Sequence, residues 1–167
     1  HRAAFITAAS LLNSYYCRGE ERRYGQAVED VEITRPPLFI LGHWRSGTTL
    51  LHYLLAQDTS QFAFANTYQV VNPCTFLSTE DVNTRRFARM VPSMRPMDNM
   101  ELSFRTPQED EFAPLLLTFR SLYLGVSFPR RAAHYSRYLT FRDVPRAEIE
   151  EWQAEFIRFC KKLTLKY

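Results

Sequence analysis

Pro37-Leu38-Phe39-Ile40-Leu41-Gly42-His43-Trp44-Arg45-Ser46-Gly47-Thr48-Thr49-Leu50 is the stretch on which the reading of the fold turns. Residues 38–41 form a short unbroken apolar run, the pattern of a strand buried on both faces of a parallel sheet. Residues 50–56 carry leucines at i, i+1, i+4 and i+5, which predicts a helix. Between the two, Gly42 and Gly47 stand five apart, the glycine spacing of a phosphate-binding loop. The first turn of a helix leaves N–H groups without intrahelical partners, and its dipole favours an anion there. Glycines let the backbone approach an anion closely, and the hydroxyls of Ser46, Thr48 and Thr49 add short donors. A nucleoside-triphosphate loop places Lys after its second glycine. Here that position is Thr48 and the cation comes earlier, at Arg45. The loop therefore suits a single phosphate bearing one further charged group.

Working outward, residues 1–23 read as an amphipathic helix with Phe5, Ile6, Leu12, Tyr15 and Tyr16 near helical spacing and Gly25 past its end. Residues 62–65 read as a second short strand, and residues 73–90 as a helix. Residues 95–100 are turn-rich, with Asp98 as a turn residue. Thr106-Pro107-Gln108-Glu109 opens a helix running through Phe112, Leu115, Leu116 and Phe119. A last helix covers residues 145–163 with Ile149, Trp152, Phe156 and Phe159 on one face. Strand, loop, helix, strand, helix is an α/β order. With only two or three strands visible, the expectation is a fold left unfinished at Tyr167, and a chain that starts inside a helix with a native N-terminus missing.

Composition narrows the function classes. The 167 residues are 46% hydrophobic and 23% charged, an ordinary globular profile. With 21 basic against 18 acidic residues the net charge of +3 is too balanced for bulk nucleic-acid binding. Cys17, Cys74 and Cys160 are far apart and odd in number, which argues against a disulfide framework, and no Cys/His spacing suggests zinc. No apolar run approaches the ~20 residues of a membrane helix. There is no signal-peptide pattern, and a cytoplasmic location is the expectation.

Gly42-His43-Trp44-Arg45-Ser46-Gly47-Thr48-Thr49-Leu50 resembles the 5′-phosphosulfate-binding loop of sulfotransferases that use 3′-phosphoadenosine 5′-phosphosulfate (PAPS), in the form found in the tyrosylprotein and bacterial branches. Arg95-Pro96-Met97-Asp98-Asn99-Met100 and Pro107-Gln108-Glu109-Asp110-Glu111-Phe112 are similar to further segments of a bacterial-type branch, so the likeness covers most of the chain. It implies a P-loop NTPase-like three-layer α/β/α fold with a parallel sheet, present as an N-terminal portion. Residues 1–167 would form one partial domain: 1–35 a helix and linker, 36–58 strand, phosphosulfate loop and helix, 59–167 a mostly helical acceptor-side region. The implied reaction moves a sulfuryl group from PAPS to a hydroxyl or amine of a small-molecule, carbohydrate or peptide acceptor, without a metal. Arg45, Ser46, Gly47, Thr48 and Thr49 would hold the donor, and Arg45 would also stabilise charge on the leaving oxygen. The family's Arg and Ser for the 3′-phosphate are expected beyond residue 167, which would leave this stretch inactive alone.

The acidic run leaves two readings open. Glu109, or as second candidate Glu111, could deprotonate the acceptor. Equally, Thr106-x-x-Glu109 is a capping-box pattern with Pro107 at the first helical position. His52 lies opposite the leucine stripe of its helix and is expected to face solvent, while His43 inside the loop has two readings, a purely structural role or a contact with donor or acceptor. Two rival functions are weighed: a nucleotide kinase or NTPase with a degenerate loop, and a non-catalytic interaction module. The first would need a cation after Gly47 and a magnesium-binding acid at a strand end.

Overall fold

A computed structural model describes residues 2–95 and 99–167. Helix α1 runs over Arg2–Asp30, α2 over Thr48–Leu55, α3 over Thr67–Val71 and α4 over Phe76–Arg86. After a 3₁₀ turn at Ala88–Met90 come α5 at Phe112–Thr118, α6 at Leu124–Ser127, α7 at Ala132–Ser136 and α8 at Arg146–Lys166. Further 3₁₀ turns lie at Pro129–Arg131 and Arg137–Leu139. The core gathers Ala65, Tyr68, Val70, Phe76, Ala113 and Phe159, with Leu77, Phe104, Phe112 and Leu163 against it. Phe76 and Phe159 meet edge to face at 5.9 Å and join α4 to α8.

The expected parallel sheet, and with it the three-layer α/β/α architecture and the P-loop-like strand entry, is not what the chain forms. Among the described residues there is no strand, only isolated antiparallel bridges, Asn66 to Pro107 and Met94 to Glu101. The physical reason lies in residues 38–41. They satisfy the composition of a buried strand, but a strand also needs a neighbour about 4.7–4.9 Å away to take its N–H and C=O groups. Among the described residues none forms a bridge with them, the stretch stays irregular, and Leu41 is 88% exposed. Residues 62–65, the second expected strand, are likewise irregular, and the bridge begins only at Asn66.

Helices fared better at their centres than at their ends. α1 continues past Gly25 because that glycine is buried inside the helix, where an added Cβ would lie 2.5 Å from Glu21 Oε1. α8 then supports the extension: its Arg158 pairs with both Glu21 and Glu29, and Lys161 Nζ donates to the Glu29 carbonyl at 2.7 Å. α5 starts only at Phe112, not near Thr106. Residues 106–108 are instead drawn out against residues 65–67, with Thr67 N–H donating to the Thr106 carbonyl and Gln108 N–H to that of Ala65, both at 3.0 Å. α3, which the hydrophobic pattern did not reveal, is started by a capping box: Asn66 accepts from the Gln69 N–H and Gln69 accepts from the Asn66 N–H, each at 2.9 Å. The Asn-x-x-Gln spelling was its signal.

Two buried carboxylates bind the helices together. Glu20 on α1 meets Lys162 Nζ on α8 at 2.6 Å and accepts from the Ser78 N–H at 2.7 Å, so it caps α4 from another element. Glu80 on α4 accepts from Asn66 and Gln69 and pairs with Lys166 at 3.1 Å. Cys17, Cys74 and Cys160 are free thiols. Asp98 lies outside the described residues.

Candidate active site

The loop before α2 is a tight turn. Ser46 N–H donates to the His43 carbonyl at 3.2 Å and Ser46 Oγ donates to the same oxygen at 2.6 Å. Arg45 and Gly47 both take positive φ, 65° and 93°, which curls the backbone into the start of α2. At Gly47, the N-cap, this costs nothing because no Cβ is present. At Arg45 it is a local strain of the kind stored at functional positions. Gly42 is required by contact: a Cβ there would fall 2.6 Å from Thr48 Cγ2 and 2.7 Å from Ser46 Oγ. Thr48 and Thr49 begin the helix half-buried, while Arg45, Ser46 and Gly47 are exposed. The turn therefore opens directly into a helix N-terminus, as the glycine spacing predicts, although no strand feeds it. Ser46 commits its hydroxyl proton to His43, which leaves oxygen lone pairs rather than a donor.

The acids come to this loop by way of Tyr123. Trp44 Nε1 donates to Tyr123 Oη at 3.3 Å, the two rings stack at 6.2 Å, and Phe112 also stacks on Tyr123, at 5.3 Å. Tyr123 Oη in turn donates to Glu109 Oε2 at 2.5 Å. Burial first, and then the Glu109 carboxylate, push the Tyr123 hydroxyl up to about 12, so it keeps its proton and remains a donor near neutral pH. The capping-box reading of Glu109 is thereby displaced: Thr106 Oγ1 donates to the Ser103 carbonyl at 2.8 Å and the carboxylate of Glu109 faces Tyr123. Glu111 directly precedes α5 and is half-buried. Burial pushes its carboxyl above the usual carboxylate range, against the opposing hydrogen bond from Ser121. Ser121 Oγ also accepts from the Tyr123 N–H at 3.2 Å, so one turn fixes both acids.

His52 is not the solvated residue expected. It is half-buried, edge-on to Phe64 at 6.1 Å, and burial holds its imidazole below its ordinary value while Asp110 and Glu109 pull the other way. Its side of α2 thus faces the acidic run. His43 Nδ1 sits 2.9 Å from the Trp44 carbonyl and shapes the loop. Sequence reasoning named the loop and the acids; it missed Tyr123 and assigned Trp44 no role of its own. Those two aromatics are 79 residues apart, and nothing in the spacing marks them. A cleft of about 390 Å³ between α1 and α8, lined by Cys17, Cys74 and Phe159 with Arg18, Arg22 and Arg158, includes none of these site residues.

The turn thus opens into a helix start, and its Trp44 is linked through the Tyr123 hydroxyl to the Glu109 carboxylate. Residues 36–159 match the model of the Sulfotransferase family, and the chain belongs to that family. It is 38% identical, over 98% of its length, to proteins of Mycobacterium bovis and Mycobacterium tuberculosis named omega-hydroxy-beta-dihydromenaquinone-9 sulfotransferase Stf3. The chain spans 42% of the length of these relatives. No solved structure matches it. Among the described residues no group of His, Cys, Asp and Glu could hold a metal ion, and no helix is long and apolar enough to cross a membrane.

Proposed function

We propose that the protein containing this chain transfers the sulfuryl group of PAPS to a hydroxyl, with residues 42–49 holding the donor and Glu109 receiving the acceptor's proton. The observation that carries the reading is the path from the loop to the acid, Trp44 to Tyr123 to Glu109, through hydrogen bonds of 3.3 and 2.5 Å. The 5′-phosphate lies over the N–H groups of Gly47, Thr48 and Thr49, where the helix dipole and the threonine hydroxyls favour it. Arg45 approaches the oxygen bridging phosphorus and sulfur. As the acceptor oxygen bonds to sulfur and the bridging S–O bond breaks, negative charge grows on that leaving oxygen, and a guanidinium there acts most strongly at the transition state. Glu109 takes the hydroxyl proton, and the Tyr123 hydroxyl holds its carboxylate in place. Glu111, half-buried and engaged with Ser121, supports the turn and is less accessible to an acceptor. The organisation into 1–35, 36–58 and 59–167 fits this assignment: a helical support, a donor segment and an acceptor-side region.

The relatives are named for an omega-hydroxylated dihydromenaquinone, and a lipid quinone hydroxyl is accordingly the acceptor we propose. The test incubates the full-length protein with PAPS and an omega-hydroxylated menaquinol, with detection of sulfated product and adenosine 3′,5′-bisphosphate in equal amounts. Product without PAPS, or thermal stabilisation by ATP but not by the bisphosphate, would sink the reading in favour of an NTPase.

A further inference from the structure

Two of the three cysteines meet between α1 and the turn before α4. Cys17 lies on α1 and Cys74 in the turn, two residues before α4 begins. Their side chains engage each other directly, and both line the cleft between α1 and α8. One ammonium fixes this meeting. Lys162 Nζ lies 2.6 Å from Glu20 Oε1 and donates to the Pro73 carbonyl, also at 2.6 Å. Glu20 stands one turn along α1 from Cys17, on the same face, and Pro73 directly precedes Cys74. The other Glu20 oxygen accepts from the Ser78 N–H at 2.7 Å, which ties that turn of α1 to the start of α4. The two thiols are thus brought together by contacts within the chain, and their meeting does not depend on the cleft standing open to solvent.

Both thiols are free and half-buried, while Cys160, on α8, does not line the cleft. A disulfide needs Cα atoms within about 7 Å and side chains turned toward each other, and side chains already in contact approach that geometry. Cys74 lies in a turn rather than a helix, which leaves its backbone freer to complete the bond. Burial, and then Cys74 itself, push the Cys17 thiol up to about 12, against the pull of Lys162. Cys17 therefore keeps its proton near neutral pH, and the first attack falls to Cys74.

We propose that Cys17 and Cys74 form a reversible redox site whose oxidant is hydrogen peroxide and whose product is a disulfide joining α1 to the turn before α4. The Cys74 thiolate attacks one peroxide oxygen, the O–O bond breaks, and Cys74 becomes a sulfenic acid as hydroxide leaves and takes up the proton that Cys74 had shed. The Cys17 sulfur then displaces the sulfenic hydroxyl, and its own proton leaves with that oxygen as water. Two thiols lose two electrons, and one peroxide is reduced to two waters. The closed loop takes in residues 42–49, so the bond restrains both ends of the segment that carries the donor loop. The pairing itself does not rest on what that loop binds.

The full-length protein is reduced, freed of reductant, treated with hydrogen peroxide and alkylated, and its peptides are mapped without reductant. The expected result is loss of alkylation at both Cys17 and Cys74, with their peptides joined within one chain and parted again by dithiothreitol. The melting temperature should rise by several degrees on oxidation, because the bond restricts the unfolded chain. Cys160→Ser should behave as the wild type does. Cys17→Ser should leave a sulfenic acid at Cys74 that dimedone captures in larger yield than in the wild type, with no rise in melting temperature. Both thiols still alkylated, a bond from either to Cys160 or to another chain, or dimedone capture at Cys17 in place of Cys74 would each overturn the proposal.

Discussion

At the scale of single residues, Arg45 and Glu111 make distinct predictions because their environments differ. Arg45 stands exposed on a turn at positive φ, in the loop proposed to hold the donor. In the full-length enzyme Arg45→Ala should lower kcat by on the order of 10²–10³ while donor binding weakens much less. Single-turnover kinetics decide it: unchanged chemistry with only a higher donor Kd would make Arg45 a binding residue. Glu111 is a matter of protonation. Its carboxyl is raised above 4.5 chiefly by burial, so the folded state holds that proton more tightly than the unfolded chain does. Its contribution to stability is therefore full below about 4.5 and is lost as pH rises through the higher folded value. Thermal melts between ~pH 4 and ~pH 7 should show that Glu111→Gln removes this decline and gains stability, relative to the wild type, toward neutral pH. An unchanged pH slope in the variant would contradict the burial argument.

At the scale of elements, the sequence was readable where local chemistry decides and unreadable where long-range partners do. The turn 42–47 and the start of α2 follow from two glycines, and the glycine at 47 has a local cause in its φ of 93°. Replacing it forces a Cβ into the left-handed region, at roughly 1–2 kcal/mol. Gly47→Ala should therefore lower the melting temperature modestly and weaken binding of adenosine 3′,5′-bisphosphate; calorimetry showing unaltered binding would remove the loop from the donor site. Residues 38–41 misled because apolarity says that a strand would be buried, not that a neighbouring strand exists. The 106–111 stretch misled for a similar reason. Its capping-box spelling is local, whereas the backbone bonds to residues 65–67 and the Tyr123 hydroxyl that claim it come from elsewhere. Glu20 was likewise invisible as a cap for α4, since it sits 58 residues before Ser78. Lys162→Ala would strand that carboxylate among α1, α4 and α8, and breaking a buried pair from one side costs about 3–5 kcal/mol. Denaturant unfolding should show a loss of this size, and a much smaller one when Glu20→Leu accompanies Lys162→Met; equal losses would mean the pair is not what couples the helices.

At the scale of the whole molecule, the described residues form a helical body whose polar ties, Glu20 with Lys162 and Glu80 with Lys166, hold α1, α4 and α8. The candidate site lies on the opposite kind of structure, an exposed turn and an acidic segment bridged by stacked aromatics. The proposed donor site rests on the start of α2, and the proposed donor carries a second phosphate at its 3′ position. Arg130 and Arg131 lie in an exposed 3₁₀ turn. The 167-residue chain should accordingly bind adenosine 5′-phosphate and adenosine 3′,5′-bisphosphate with similar, weak affinity. A charge-assisted contact contributes about 1.5–3 kcal/mol, so a working second site would give the bisphosphate at least roughly a tenfold preference. Calorimetry with both nucleotides reads this directly. If the bisphosphate is strongly preferred, a cation within the chain holds the 3′-phosphate, and repeating the titration with Arg130→Ala/Arg131→Ala would show whether that turn supplies it.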